Sequence, residues 1–189
     1  MAKILMVVAS NRQGSFNRQL ADVIVSEIGD RAEVKFLDYS ALPPMDQDAE
    51  FPAPEAVTKV RQEIKDADGL WIVSPQYNNS YPGVLKNLLD WVSRPVEAGD
   101  RDTAAAGVKV TLSSIAGGNA AAPMLEKLSE LVEFIGMGPA QGTGERLHRP
   151  HGSLDQRHCG PHRRRQGPRS RSGGRLPRLH RLITNRFVA

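Results

Sequence analysis

Three stretches of this 189-residue chain hold residue types suited to gripping a ligand. The first is "SNRQGSFNRQL" (10–20), where Ser10, Arg12, Ser15 and Asn17 offer hydrogen bonds and Gly14 lets the backbone bend. It opens a helical pattern, and a helix N-terminus presents free N–H groups and partial positive charge. Arg12 adds a planar cationic fork that matches phosphate. The plain alternative is helix capping by Ser15 or Asn17. The second is "SPQYNNSYPGVLKNLLDW" (74–91). There Tyr77 can lie against a flat ring, and Gln76 and Asn78 can reach polar ring edges. A turn of Asn, Ser and Pro is the plain alternative, yet a plain turn does not call for Gln, Tyr and two Asn together. The third is "SSIAGGNAA" (113–121), where Gly117 and Gly118 let a ligand approach the backbone closely. Alone, such a glycine pair often just makes a turn. Together the first stretch wants a phosphate, and the other two want a flat ring with polar edges. That describes a mononucleotide, and a flavin best of all. The first stretch is neither "GxGxxG" nor "GxxxxGK[ST]", which argues against a dinucleotide fingerprint and a P-loop.

The elements that must hold these stretches are legible in the apolar pattern. "KILMVVA" (3–9) and "GLWIVSP" (69–75) are continuous apolar runs, as expected of strands buried on both faces. "EVKFLDYS" (33–40) alternates, and "VKVTLSSIA" (108–116) reads as a further strand. Between them "RQLADVIVSEIG" (18–29) puts Leu20, Ile24 and Ile28 on one helix face, with Gly29 as a stop. "EAVTKVRQEIKDAD" (55–68) does the same with Val57, Val60 and Ile64, and "PGVLKNLLDWV" (82–92) places Pro82 near a first turn. "APMLEKLSELVEFIGM" (122–137) is the fourth helix, and the four-proline stretch 41–54 reads as a surface loop. Strands alternating with helices give a parallel sheet with helices on both faces. In such sheets ligands bind at the carboxyl ends of the strands, near the switch point, which is where all three polar stretches fall.

The net charge of +4 averages two unlike pieces. Residues 1–141 hold 13 Lys and Arg against 19 Asp and Glu; residues 142–189 hold 12 Arg, no Lys and 2 acids. The first piece has no His and no Cys, so a histidine-based triad, a thiol nucleophile or a zinc site has no candidate there. Its acids Asp46, Asp48, Glu50 and Asp68 are expected on a solvated surface. Cys159 is the single cysteine, which forbids an internal disulfide and fits a reducing cytoplasm. The start, "MAKILMVVAS", reads as a strand and not as a signal peptide, and no apolar run reaches membrane-helix length. Five apolar residues at 85–92 (Leu85, Leu88, Leu89, Trp91, Val92) exceed what one buried face needs, an expectation of self-association.

The "SNR…GSFN" and "SPQYNNSYPGVLKNLLDW" motifs resemble those of the NADPH-dependent FMN reductase family, whose pattern is close to S/T-P-E/Q-Y-N followed by P-G-x-L-K-N-x-L-D-W. The "AGG" of the third stretch fits too, less specifically. The resemblance covers about residues 3–140, extending at most to 156. It implies a flavodoxin-like three-layer sandwich, with a five-stranded parallel sheet of order 2-1-3-4-5. It implies FMN held at the phosphate by Ser10, Arg12, Ser15 and Asn17, with Phe16 in the same motif. Pro75, Gln76, Tyr77 and Asn78 would line the ribityl chain and ring, and Ser114, Gly117 and Gly118 would touch the ring's polar edge. Gln76 stands where many members carry Glu; modest changes in local hydrogen bonding follow. The implied reaction passes a hydride from NADPH or NADH to FMN, and electrons on to a quinone, azo compound, chromate or flavin. No catalytic side chain or metal is required, because the cofactor carries the chemistry. A homodimer or homotetramer is implied, with Tyr81 and the helix at 86–91 near the partner or the ring. The rival in the same fold is a flavin-binding electron carrier with little nicotinamide activity.

The flavin domain is accordingly drawn as 1–156, followed by an Arg-, Pro- and Gly-rich tail, 157–189. The tail has no apolar periodicity to form the fold's last helix. Its basic character admits nucleic acid, but without interleaved aromatics or a motif. A slipped reading frame near Gln156 accounts for it: "RHCGPHRRRQGP", decoded one base later, permits "DTVDRIAAAKGL". A genuine disordered tail is the alternative, and resequencing the gene separates the two.

Overall fold

A computed structural model describes residues 1–117 and 119–139 of the chain. β1 (Ala2–Val8) lies at the centre of the sheet, hydrogen-bonded to β2 (Ala32–Phe36) on one side and β3 (Gly69–Val73) on the other. β4 (Lys109–Ser113) and the two-residue β5 (Gly138–Pro139) continue outward from β3. All pairs are parallel, and the order is β2-β1-β3-β4-β5. This is the flavodoxin-like arrangement. The chain moves outward from β1 to β2, then crosses back to β3, so the switch point lies between β1 and β3. The burial patterns explain these positions. β3 buries four consecutive residues, Leu70 to Val73, as a central parallel strand must, whereas β2 at the edge alternates half-buried with exposed.

α1 (Phe16–Ile28) packs on one face, where Ala21, Ile24 and Ile28 meet Met6, Trp71 and Val73. Gly29 ends it with φ of 52°, a conformation that favours glycine. α2 (Glu55–Lys65), α3 (Gly83–Val92) and α4 (Ala122–Phe134) build the second, larger cluster with Leu5, Val7, Leu70 and Ile72. Burying one Leu, Ile or Val side chain there is worth about 1.5–3 kcal/mol.

Two expectations fail here. The five apolar residues at 85–92 offer no surface for self-association, because all are buried within the chain. α3 is covered on one side by the sheet and on another by the proline-rich loop at 41–54. Trp91 Nε1 and Asn87 Nδ2 both donate to Pro43 O, at 2.9 and 2.8 Å, and Met45 N donates to Asn87 Oδ1 at 2.7 Å. Glu50 is not on a solvated surface either. It is 5% exposed and ion-paired with Arg94, whose Nη2 reaches Glu50 Oε2 at 3.1 Å. The Arg94 hydrogen bond holds the Glu50 carboxyl below its ordinary value. Among the described residues no helix is long and apolar enough to cross a membrane. The expected tail, the missing last helix and the boundary at 156 all lie outside the described residues.

Candidate functional site

The loops after β1, β3 and β4 leave the sheet at one edge and are tied to each other there. Ala9 N donates to Val73 O at 2.9 Å and Ser74 N to Ser113 O at 3.0 Å, so the three strands end in step. Asn17, in the first turn of α1, closes a two-way bond with the loop after β4. Its Nδ2 donates to Ile115 O at 3.2 Å, and Ile115 N donates to its Oδ1 at 3.1 Å. Gln76 Nε2 donates to Asn119 Oδ1 at 3.1 Å, joining the loop after β3 to the loop after β4.

The loop after β1 curls tightly around Gly14, whose φ of 68° suits glycine. Arg12 Nη2 donates to Gly14 O at 2.8 Å, and the Arg12 guanidinium stands 5.2 Å from the centre of the Phe16 ring. Ser15 is buried at the N-cap of α1 but makes no side-chain capping bond. Ser15 therefore does not cap with its hydroxyl, and the first-turn N–H groups beside it are left by helical geometry without partners inside the helix. Ser10 Oγ accepts from Arg12 N at a long 3.4 Å.

Beyond β3, Ser74 and Pro75 are buried, and the chain turns back at once. Tyr77 and Ser80 exchange two backbone hydrogen bonds of 2.9 Å. Asn78 and Asn79, between them, have φ of 51° and 58°, which fits the paired left-handed turn that Asn tolerates. Lys127 Nζ of α4 holds this turn by donating to Asn79 O at 3.0 Å. The turn leaves the Tyr77 ring 51% exposed; Phe16 is 63% exposed.

Two polar atoms at this edge are buried without a hydrogen-bond partner: Gln76 Oε1 and Ser114 Oγ. Buried groups of this kind are normally satisfied, and leaving one unmade costs about 1–3 kcal/mol. A Cβ built on Gly117 would meet no atom within 4 Å, so the backbone there is open to a neighbour. Two exposed aromatic rings, a cation, a helix N-terminus and two polar atoms wanting partners fit a flat, anionic ligand such as FMN.

A family model described as NADPH-dependent FMN reductase matches residues 2–143. The chain belongs to that family. A 2-hydroxy-1,4-benzoquinone reductase of a Burkholderia species is 50% identical to it over 93 residues, 49% of this chain and 51% of that protein. A quinone reductase of Escherichia coli K12 is 38% identical over 97 residues, 49% of this chain and 50% of that one. The chain thus spans about half the length of the curated relatives it matches. Among solved structures, a flavoenzyme NAD(P)H:(acceptor) oxidoreductase from Paracoccus denitrificans superposes with a TM-score of 0.69 at 27% identity, covering 77% of this chain and 78% of that one.

Against this FMN reductase background, the expected residues divide. Ser10, Arg12, Ser15 and Phe16 crowd one loop, while Pro75, Gln76, Tyr77, Asn78, Ser114 and Gly117 line the loops beside it. Gly118 lies outside the described residues. Asn17 has its amide engaged by Ile115, so it braces two loops together. Asn119, Ile115 and Lys127 were not expected. Asn119 sits in "GGNAAA", where composition signals only a turn, and its partner is 43 positions away. A cavity of about 460 Å3 lies elsewhere, beside α2, lined by Phe51, Thr58, Arg61, Lys65 and Val96 among others. Its cations are already engaged. Arg61 donates twice to Trp91 O, at 3.2 and 3.0 Å, and Lys65 Nζ meets Asp102 at 2.6 Å.

Proposed function

We propose that the chain binds FMN in the three-loop edge and oxidises NADPH or NADH, passing electrons to a small acceptor of the quinone type. The observation that carries this reading is the interlocked trio of loops with Gln76 Oε1 and Ser114 Oγ buried and unpartnered. Bound FMN supplies hydride acceptance from the nicotinamide and delivery to the second substrate. The chain's residues bind and orient. Arg12, Ser10 and Ser15 with the α1 N-terminus take the phosphate; the charge on both Arg12 and the phosphate makes that bond stronger than a neutral one. Asn17 keeps that loop fixed against the loop after β4. Pro75, Gln76, Tyr77 and Asn78 flank the ribityl chain and ring, and Ser114 with the open backbone at Gly117 meets the polar edge. The exposed Tyr77 and Phe16 rings provide apolar surface beside the cofactor on which flat substrates can rest.

The names of relatives reading quinone reductase and NAD(P)H-dependent FMN reductase support this reading. The finer features of the proposal are a homodimer or homotetramer, a cytoplasmic location, and a flavin domain ending near residue 156. The partner surface of that oligomer is not the buried side of α3; exposed Val84 and Tyr77 are better placed. A steady-state panel tests the function: both nicotinamides against quinone, azo, chromate and free-flavin acceptors, on FMN-loaded protein. Turnover with a quinone is expected. Bound FMN that no reduced nicotinamide bleaches would contradict the reading and leave an electron carrier.

A further inference from the structure

We propose that Asn119 is a positioning residue for the cofactor: it fixes the Gln76 amide so that the carbonyl oxygen, and not the NH2, is offered to the flavin ring. The inference rests on the FMN reading above. Its first constraint is a backbone group. Ala121 N donates to Asn119 Oδ1 at 3.2 Å, and a backbone N–H has no other role than donor. The Asn119 atom there must therefore be its oxygen, which settles the amide's orientation. That same oxygen faces Gln76 at 3.1 Å, so Gln76 must present its Nε2. Gln76 Oε1 is thereby forced onto the other arm of the amide, where it is buried with no partner.

The loop that carries Asn119 is itself strained. Ala120 and Ala121 have φ of 50° and 58°, a left-handed conformation that residues with a Cβ adopt at a cost. Strain of this kind persists where the surroundings over-determine it. Here the Asn119 side chain bonds the second strained residue and reaches across to Gln76, so a distorted turn serves to aim one oxygen. An acceptor held in this way calls for an N–H donor on the ligand. The oxidised flavin ring has a single N–H, the imide at N3, which matches Gln76 Oε1. Ser114 Oγ, the other unpartnered buried atom at this edge, can donate or accept and so suits a neighbouring ring oxygen. A carboxylate at position 76 would set oxygen against oxygen at Asn119, which explains why glutamine fits this chain.

The test compares FMN with N3-methyl-FMN, each titrated by flavin fluorescence quenching, and reads the ratio of their dissociation constants. The unaltered protein is expected to prefer FMN by about tenfold, the scale of one buried hydrogen bond with its partner left unmade. Gln76→Ala should collapse the ratio to within about twofold of one. Asn119→Ala should do the same although it leaves Gln76 in place, and the double variant should fall no further. Asn119→Asp keeps an oxygen toward both Ala121 N and Gln76 Nε2, so it should preserve the ratio even where overall affinity drops. A merely structural role for Asn119 would weaken both ligands equally and leave the ratio unmoved, which would overturn the proposal; so would loss of the ratio in Asn119→Asp with its retention in Asn119→Ala. If the unaltered protein binds neither ligand, the FMN reading itself fails, a different outcome from binding without discrimination.

Discussion

On the α3 side of the sheet the polar groups close upon each other. Trp91 Nε1 and Asn87 Nδ2 find Pro43 O, Arg61 finds Trp91 O, and Arg94 finds Glu50. On the three-loop edge the opposite holds: Gln76 Oε1 and Ser114 Oγ are buried without partners, two aromatic rings face outward, and four non-glycine residues have positive φ. Both regions draw on the same motif. Its first half, up to Pro82, supplies the open edge, and its second half supplies the closed scaffold. A continuous sequence signature can thus contain two jobs, and hydrogen-bond satisfaction tells them apart. Where every buried group has a partner, the residue holds the fold; where partners are missing, a ligand is expected to complete the set.

Substitutions can break or sharpen this contrast. The largest effect is expected from Trp91→Ala, which empties a site that is 0% exposed and removes the bond to Pro43 O. It should destabilise the chain by about 3–5 kcal/mol in denaturant unfolding. A loss below about 1 kcal/mol would remove the motif's second half from the scaffold. Next is Arg12→Ala, expected to weaken FMN by roughly 1.5–3 kcal/mol, the scale of a hydrogen bond to a charged group. Its unfolding free energy should stay within about 0.5 kcal/mol of the parent's, as for a surface change. A large stability loss without a loss of affinity would move Arg12 from the open edge to the closed scaffold.

Tyr39 joins the regions, since its hydroxyl donates to Val8 O at 3.0 Å at the end of β1. Burial pushes its phenol up to about 12 from an ordinary 10. The folded state thus favours the protonated form. Its stabilisation is fully present below pH 10 and is lost as pH rises from 10 through 12. By pH 11 the loss should be on the order of 1 kcal/mol, and Tyr39→Phe should lack that part of the alkaline decline. Phenolate absorbance rising at pH 10 in the folded protein would contradict it. The smallest effect is expected at exposed Ala120. Ala120→Gly relieves a left-handed φ but loosens the unfolded chain, for a net gain of roughly 0.5 kcal/mol. A loss of stability there would mean that the turn is not strained.

Much of this was legible in local pattern. The apolar runs at β1 and β3, the faces of α1 and α2, and the placement of polar stretches after strands all follow from residue order. What escaped was pairing across long separations. Glu50 looks like a surface acid until Arg94, 44 positions on, is beside it. Asn17 offers itself as a cap or a phosphate ligand, and only the fold shows that Ile115, 98 positions on, is bonded to its amide. The apolar surplus on α3 looks like an interface because nothing local reveals that the loop at 41–54 folds over it. Gln76 was singled out, but Asn119, which determines what Gln76 presents, carries no signal beyond an asparagine in a turn.

The measurement that bears most directly on the central claim is a titration of the cofactor-free protein with FMN, followed by flavin fluorescence, in parallel with Arg12→Ala and Gln76→Ala. The completed-edge reading predicts saturable quenching at one FMN per chain, weakened in both variants while their folds persist. Absence of saturable binding, or affinity unchanged in both variants, would contradict it.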